Sequence, residues 1–208
     1  MENNVEKLFV YGDSISLQYG FKLKEKLDSL NINYNRLGSS NSNDLASPIY
    51  NGFSTREMII WIKDLPIQEN TLLLFNCGLH DIVHIEIDQE CQVEILEYKK
   101  NLEFIIESST KKFTNVVFCN TTPVEDKRHN SNTNVRFRYN ADVEAYNEVA
   151  QEVMNKRNVS IIDLYEITMN YSKDENIYID HIHFNKKISH LHAQKIIEEL
   201  IESDYIHG

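Results

Sequence analysis

What the sequence lacks narrows the field first. No apolar run approaches the roughly 20 residues that a membrane-spanning helix requires. There is no surplus of basic charge: 21 Lys and Arg stand against 32 Asp and Glu, a formal net charge of -11. A surface of that sign offers nothing to a nucleic-acid backbone or an anionic membrane, so neither is an expected partner. Cysteine is scarce. Cys77, Cys91 and Cys119 show no metal-ligand spacing, and three leave an odd one over. Cys77 and Cys119 sit at the ends of apolar runs, where buried free thiols are common. The start, Met1 to Lys7, is polar and acidic, and the apolar run behind it is too short for a secretory signal. A cytoplasmic, disulfide-free protein is expected. Repeats and low-complexity tracts are also missing.

What is present suits one domain spanning 1–208, because 208 residues with 41% hydrophobic content can bury a real core. The run Leu8 to Tyr11 reads as a buried strand. Gly12 breaks it, and Asp13-Ser14 leads into a helix over Ser16 to Ser29. A serine at a tight strand-to-helix turn presents its hydroxyl at the carboxyl end of the strand, the edge where open α/β sheets bind ligands. Taken alone, Gly-Asp-Ser is equally a turn plus a helix cap.

The rest alternates in the same way. A second strand is placed at Asn33 to Leu37, ended by Gly38, and a Ser- and Asn-rich loop at Ser39 to Tyr50. A well-buried helix follows over Thr55 to Leu65, with Pro66 just past its end. Thr71 to Phe75 is apolar throughout, as a central parallel strand covered on both faces must be. It runs into Gly78-Leu79-His80-Asp81, a loop, and a helix from Cys91 to Ser108. Val116 to Cys119 is the fourth strand. Val124 to Tyr139 reads as a long polar loop, and loops of that length in a compact domain usually serve a function. Asn140 is placed as the cap of a helix over Ala141 to Arg157, and Val159 to Ile162 is the fifth strand. Another loop leads to Tyr178 to Asn185 and a last helix over Lys186 to Ser203. Strands alternating with helices predict a three-layer α/β/α sandwich around a five-stranded parallel sheet.

Four short blocks, in order, carry a resemblance: Gly12-Asp13-Ser14, Gly52 after Asn51, Gly78-Leu79-His80-Asp81, and Asp180-His181-Ile182-His183. Together they resemble the SGNH (GDSL-like) hydrolase family over nearly the whole chain. The third block usually carries Asn where His80 stands. A subset of that family reads Gly-Leu-His-Asp here, with a Thr-Pro strand end and an Arg-containing loop, as Thr122-Pro123 and Arg136-Phe137-Arg138 do.

The resemblance implies a flavodoxin-like topology and a serine esterase without metal or cofactor. Ser14 is then the nucleophile, His183 the base and Asp180 its orienting acid. The chemistry is coherent, since a serine hydroxyl needs a base and imidazole titrates near neutrality. By the same resemblance the oxyanion donors are the backbone N–H groups of Ser14 and Gly52 plus His80 in place of Asn. Asp13, Arg136 and Arg138 are candidate substrate-binding residues, Arg136 and Arg138 with a solvated basic patch as the alternative. The implied substrate is a small acyl ester, such as acetyl, on a carbohydrate or related metabolite. Acyl transfer or thioester cleavage by the same triad, a non-catalytic sugar-binding relative, and metal-assisted hydrolysis through His80, Asp81, His84 and His183 remain the alternatives. His181, His190 and His192 read as structural or solvated.

Overall fold

The uninterrupted apolar run before Asn76 ends the middle strand of the sheet. In the computed structural model, which describes residues 5–38, 51–86, 89–171 and 176–207, β3 (Gln68–Phe75) has its last five residues fully buried. It pairs in parallel with β1 (Lys7–Tyr11) on one side and β4 (Phe113–Cys119) on the other. β2 (Asn33–Arg36) and β5 (Ser160–Ile162) close the edges, giving the order β2-β1-β3-β4-β5, all parallel. This is the doubly wound, flavodoxin-like order, whose switch point lies between β1 and β3.

Helices cover both faces. α1 (Ser14–Ser29) packs on α7 (Lys186–Glu202), which also meets α6 (Leu164–Tyr171). α2 (Thr55–Asp64) packs on α3 (Ile95–Ser109), which meets α5 (Asn140–Lys156). The core they enclose is apolar and aromatic, with Tyr11, Tyr19, Tyr98, Phe75 and Phe118 almost fully buried. Among the described residues no helix is long and apolar enough to cross a membrane. All three cysteines are free, Cys77 and Cys119 buried.

Several elements differ from expectation. The 124–139 segment is not structureless: it contains the short helix α4 (Asp126–Asn130), and Phe137 pairs with His84 as an antiparallel bridge. The Asn130 side chain bonds both the N–H and the carbonyl of Arg138, closing the segment on itself. Asn140 is not the cap of α5; Tyr139 occupies that position without a side-chain bond. The Asn140 amide instead accepts from the Val124 N–H at 3.1 Å and donates to Tyr165 Oη at 2.7 Å. α3 begins at Ile95 rather than Cys91. α2 is less buried than expected, with Ile60 68% exposed. α6 had no apolar stripe to betray it, because it buries only Leu164 and Thr168. Its start is marked by Asp163, whose carboxylate accepts from the Glu166 N–H. The loop expected at Ser39 to Tyr50 lies outside the described residues.

Two consequences for stability are measurable. Gly78 sits at φ 149°, and a methyl added there would collide with Thr121 Oγ1. Gly78→Ala should destabilise the fold by about 2 kcal/mol or more in urea unfolding. Buried His192 donates from Nε2 to Thr168 Oγ1, since the Thr168 proton goes to the Leu164 carbonyl. Burial pushes its pKa down to about 3. Between pH 6.5 and 4 the unfolded chain therefore takes a proton that the folded imidazole refuses, and stability falls as pH falls. Thermal unfolding across that window should show a shallower acid slope for His192→Gln than for the wild type.

Candidate active site

The first turn of α1 and the loop before α7 meet at the carboxyl edge of the sheet. Asp13 caps α1, its Oδ1 accepting from the Ile15 N–H at 3.0 Å and from Asn76 Nδ2 at 2.9 Å. That leaves Ser14 as the first residue of the helix. Its N–H has no intrahelical partner, and the positive end of the helix dipole lies beneath its hydroxyl.

The loop carrying Asp180 and His183 is folded back by the Tyr178–Phe184 bridge and by Asn185, which caps α7. Gln18 on α1 joins the two ends of the chain: its Nε2 donates to the Phe184 carbonyl at 2.7 Å and its Oε1 accepts from the Phe184 N–H at 3.0 Å. With that loop docked, His183 Nε2 lies 2.8 Å from Ser14 Oγ. Its Nδ1 lies 2.6 Å from Asp180 Oδ2. The other Asp180 oxygen accepts from the N–H groups of Ile182 and His183 at 2.8 and 2.7 Å.

Partial burial on its own would raise the Asp180 carboxyl. Those two backbone bonds and the His183 ring outweigh it and hold the group below its ordinary value. An ionised Asp180 accepts a hydrogen bond from the Nδ1–H and so fixes the tautomer, which leaves the Nε2 lone pair to receive the proton of Ser14. Ser14, Asp180 and His183 are therefore brought together as a hydrogen-bonded relay.

The expected oxyanion donors fare differently. The Gly52 N–H is already committed, donating to the Gly12 carbonyl at 2.8 Å, while the Gly52 carbonyl accepts from Tyr11 Oη at 2.8 Å. Gly52 must be glycine because a Cβ would lie 2.6 Å from the Tyr11 ring. Its place is a clasp between the second loop and the nucleophile turn, which corrects its expected role as a donor.

The neighbouring Asn51 reaches the cleft instead. Its Oδ1 accepts from the Phe53 N–H at 2.8 Å, and among the described residues its Nδ2 has no partner. Its signal in the sequence was only adjacency to Gly52. His80 lines the cleft with both ring nitrogens unbonded among the described residues and its ring edge-on to Phe53. Burial, followed by the charges of Arg138 and Arg136, pushes its pKa down to about 3, so it is a neutral ring with one N–H to give.

The cleft is about 390 Å³ and is also lined by Arg136, Arg138, His129, His181 and Ile182. Arg138 and Arg136 thus lie where substrate binding was expected. Asp13 does not: it is 1% exposed, its carboxylate is taken up in holding the turn, and burial raises its pKa. His181, read as solvated or structural, opens onto the cleft with its Nδ1 2.9 Å from that of His129. A larger cavity of about 480 Å³ between α5 and β5 has no serine, cysteine or histidine among its described lining residues.

The alternative metal set of His80, Asp81, His84 and His183 is not gathered. Asp81 is buried against the start of α2, accepting from the N–H and hydroxyl of Thr55 at 3.0 and 2.5 Å. Burial pushes its pKa up to about 7 despite those bonds. Among the described residues, the one group of three such side chains whose ligand atoms lie near one another is His84, Cys91 and Asp142, with His84 Nε2 2.8 Å from Asp142 Oδ2.

No protein-family model matches the chain, and no curated protein matches it in sequence. Solved structures do match. A lipase/acylhydrolase from Enterococcus faecalis is 19% identical, with a TM-score of 0.66 over 95% of this chain and 96% of the other. A member of the lipolytic G-D-S-L family from Veillonella parvula is 18% identical, TM-score 0.67, over 92% and 96%. An acetylxylan esterase from Geobacillus stearothermophilus is 15% identical, TM-score 0.69, over 96% and 96%. The chain has the α/β fold of these SGNH-type hydrolase structures.

If His80 donates to an oxyanion, His80→Asn should retain much of the rate, whereas His80→Ala should lower kcat by about 100-fold with little change in KM. The pH profile of kcat should keep its shape in His80→Asn, because His80 is neutral from about pH 3 upward.

Proposed function

We propose that the chain is a serine ester hydrolase of the SGNH type, working through an acyl-enzyme on Ser14. The observation that carries this is the relay from Asp180 through His183 to Ser14, closed at 2.6 and 2.8 Å between groups 169 residues apart in sequence. His183 Nε2 takes the hydroxyl proton as Ser14 Oγ attacks the ester carbonyl. The oxyanion forms beside the Ser14 N–H, the His80 ring and the Asn51 amide, in the field of the α1 N-terminus. His183 then gives its proton to the leaving alcohol. Water, activated by the same ring, releases the acid and restores the serine. Asp180 stays ionised and steadies the imidazolium at each step.

The acyl group is small, and acetyl is the first choice. Support comes from the fold shared with a structure titled an acetylxylan esterase and from a cleft of modest volume. The alcohol half is carbohydrate-like by the same likeness, which is a weaker warrant, because one fold hosts many substrates. Three free thiols and the absence of a basic surface favour a cytoplasmic setting.

A fluorophosphonate should label the wild type and leave Ser14→Ala unmodified. Intact-mass measurement after exposure to activated esters of graded length should reveal an adduct on Ser14, greatest for acetyl. Ester hydrolysis in Ser14→Ala should fall by roughly a thousandfold or more with the fold retained. Undiminished turnover in that variant would rule the mechanism out.

A further inference from the structure

The cleft beside Ser14 has the opposite charge to the rest of the molecule. The chain carries a net charge of -11, yet the cleft is lined by Arg136, Arg138 and four histidines, and among the described residues no Asp or Glu lines it. The adjacent carboxylate, Asp180, is taken by His183 and two backbone N–H groups.

Arg138 is the anomaly. It is 6% exposed, and its guanidinium donates to the Leu79 carbonyl at 2.6 Å and to His129 Nε2 at 3.1 Å. Arg56 and Arg128 each pair with a glutamate, whereas among the described residues no carboxylate lies within ion-pair distance of Arg138. The buried Asp13 carboxylate feels its charge only from beyond ion-pair distance, and its Oδ1 is held by Ile15 and Asn76. A buried cation whose neighbours are neutral is expensive unless something anionic completes it.

Arg136 makes the same case from the backbone. It stands at φ 68°, a left-handed conformation that a residue with a side chain rarely adopts. It is held there by the next residue, which exchanges two backbone bonds with His84. The guanidinium so presented is exposed at the rim and has no partner among the described residues. Strain maintained at a cleft is a mark of function. Burial and the arginine charges keep His80 and His129 neutral, so the fixed positive charge belongs to the two arginines and the rings add hydrogen-bond donors.

We propose that this cleft takes an anionic substrate: an ester on a molecule that also bears a carboxylate or a phosphate, received by Arg138 from within and Arg136 at the rim. A guanidinium fork matches either oxoanion. The word substrate rests on the esterase reading above; the anion site itself does not.

Isothermal titration at low salt, with glucuronate, glucose 6-phosphate and glucose, separates the cases. At least one of the two anions should bind more tightly than glucose, and which one does distinguishes carboxylate from phosphate. Arg136→Gln should weaken that anion by about tenfold and Arg136→Lys by less, as expected for loss of a charge-assisted bond. The bound anion should also slow fluorophosphonate labelling of Ser14. In hydrolysis, O-acetylglucuronate should be preferred over its neutral O-acetylglucuronamide counterpart if the carboxylate is read, and Arg136→Gln should shrink that preference. Equal binding of glucose and both anions, no binding of either anion, or indifference to Arg136→Gln would overturn the inference. Failure of the esterase reading would show separately, as an unlabelled Ser14 with charge-selective binding intact.

Discussion

Everything at the site depends on one closure: the last loop must dock on the first helix. Gln18 achieves it by pairing both of its amide ends with the Phe184 peptide, at 2.7 and 3.0 Å. The pairing satisfies two backbone groups that would otherwise face a protein surface, and it fixes the loop in both position and rotation. His183 precedes Phe184, so its ring can meet Ser14 only in this docked arrangement. The packing of α1 against α7 supplies the apolar area behind the pairing. The Ser14–His183 hydrogen bond is thus a consequence of a structural one, made at the very next residue.

The carboxylates around the site are sorted by what surrounds them. Asp180 is held ionised by two backbone N–H groups and a ring. Asp13 and Asp81 are buried, and their pKa values rise accordingly. Each of them spends its oxygens on a helix N-terminus, Asp13 on α1 and Asp81 on α2. The three acids therefore divide into one that bonds the His183 ring and two that hold backbone in place. His80, next to Asp81 in the chain, inherits its position in the cleft from that anchoring.

Most of the fold was legible because its signals are strong and local. The apolar run before Asn76 could only be a covered strand, and Gly-Asp-Ser after a strand could only be a tight turn. The grouping of Ser14, His183 and Asp180 was legible by resemblance, since nothing in spacing alone brings Ser14 to His183 across 169 residues. What escaped was set by tertiary partners. α6 buries two residues, too few to make a periodic stripe. Asn140 looks like a cap, but Val124 and Tyr165 claim its amide. Gly52 looks like an open donor, but Gly12 claims its N–H, and the free amide belongs to Asn51 beside it. Gln18, which holds the site together, is an ordinary polar residue on a helix until its partner is known.

The 124–139 segment explains why a long polar stretch can be ordered without a core of its own. Each of its turns is tied to a neighbour: Asn130 to the Arg138 peptide, Phe137 to His84, and Asp126 to the Asn140 N–H at 2.7 Å. These bonds replace hydrophobic burial as the ordering force, and they converge on the two arginines. An acidic protein repels anions over most of its surface. A wall that carries cations on a rigid frame therefore sets the cleft apart from that acidic surface and favours an anion close to Ser14. The rigidity matters as much as the charge, because the Arg138 guanidinium, already held by the Leu79 carbonyl, loses little freedom when it binds.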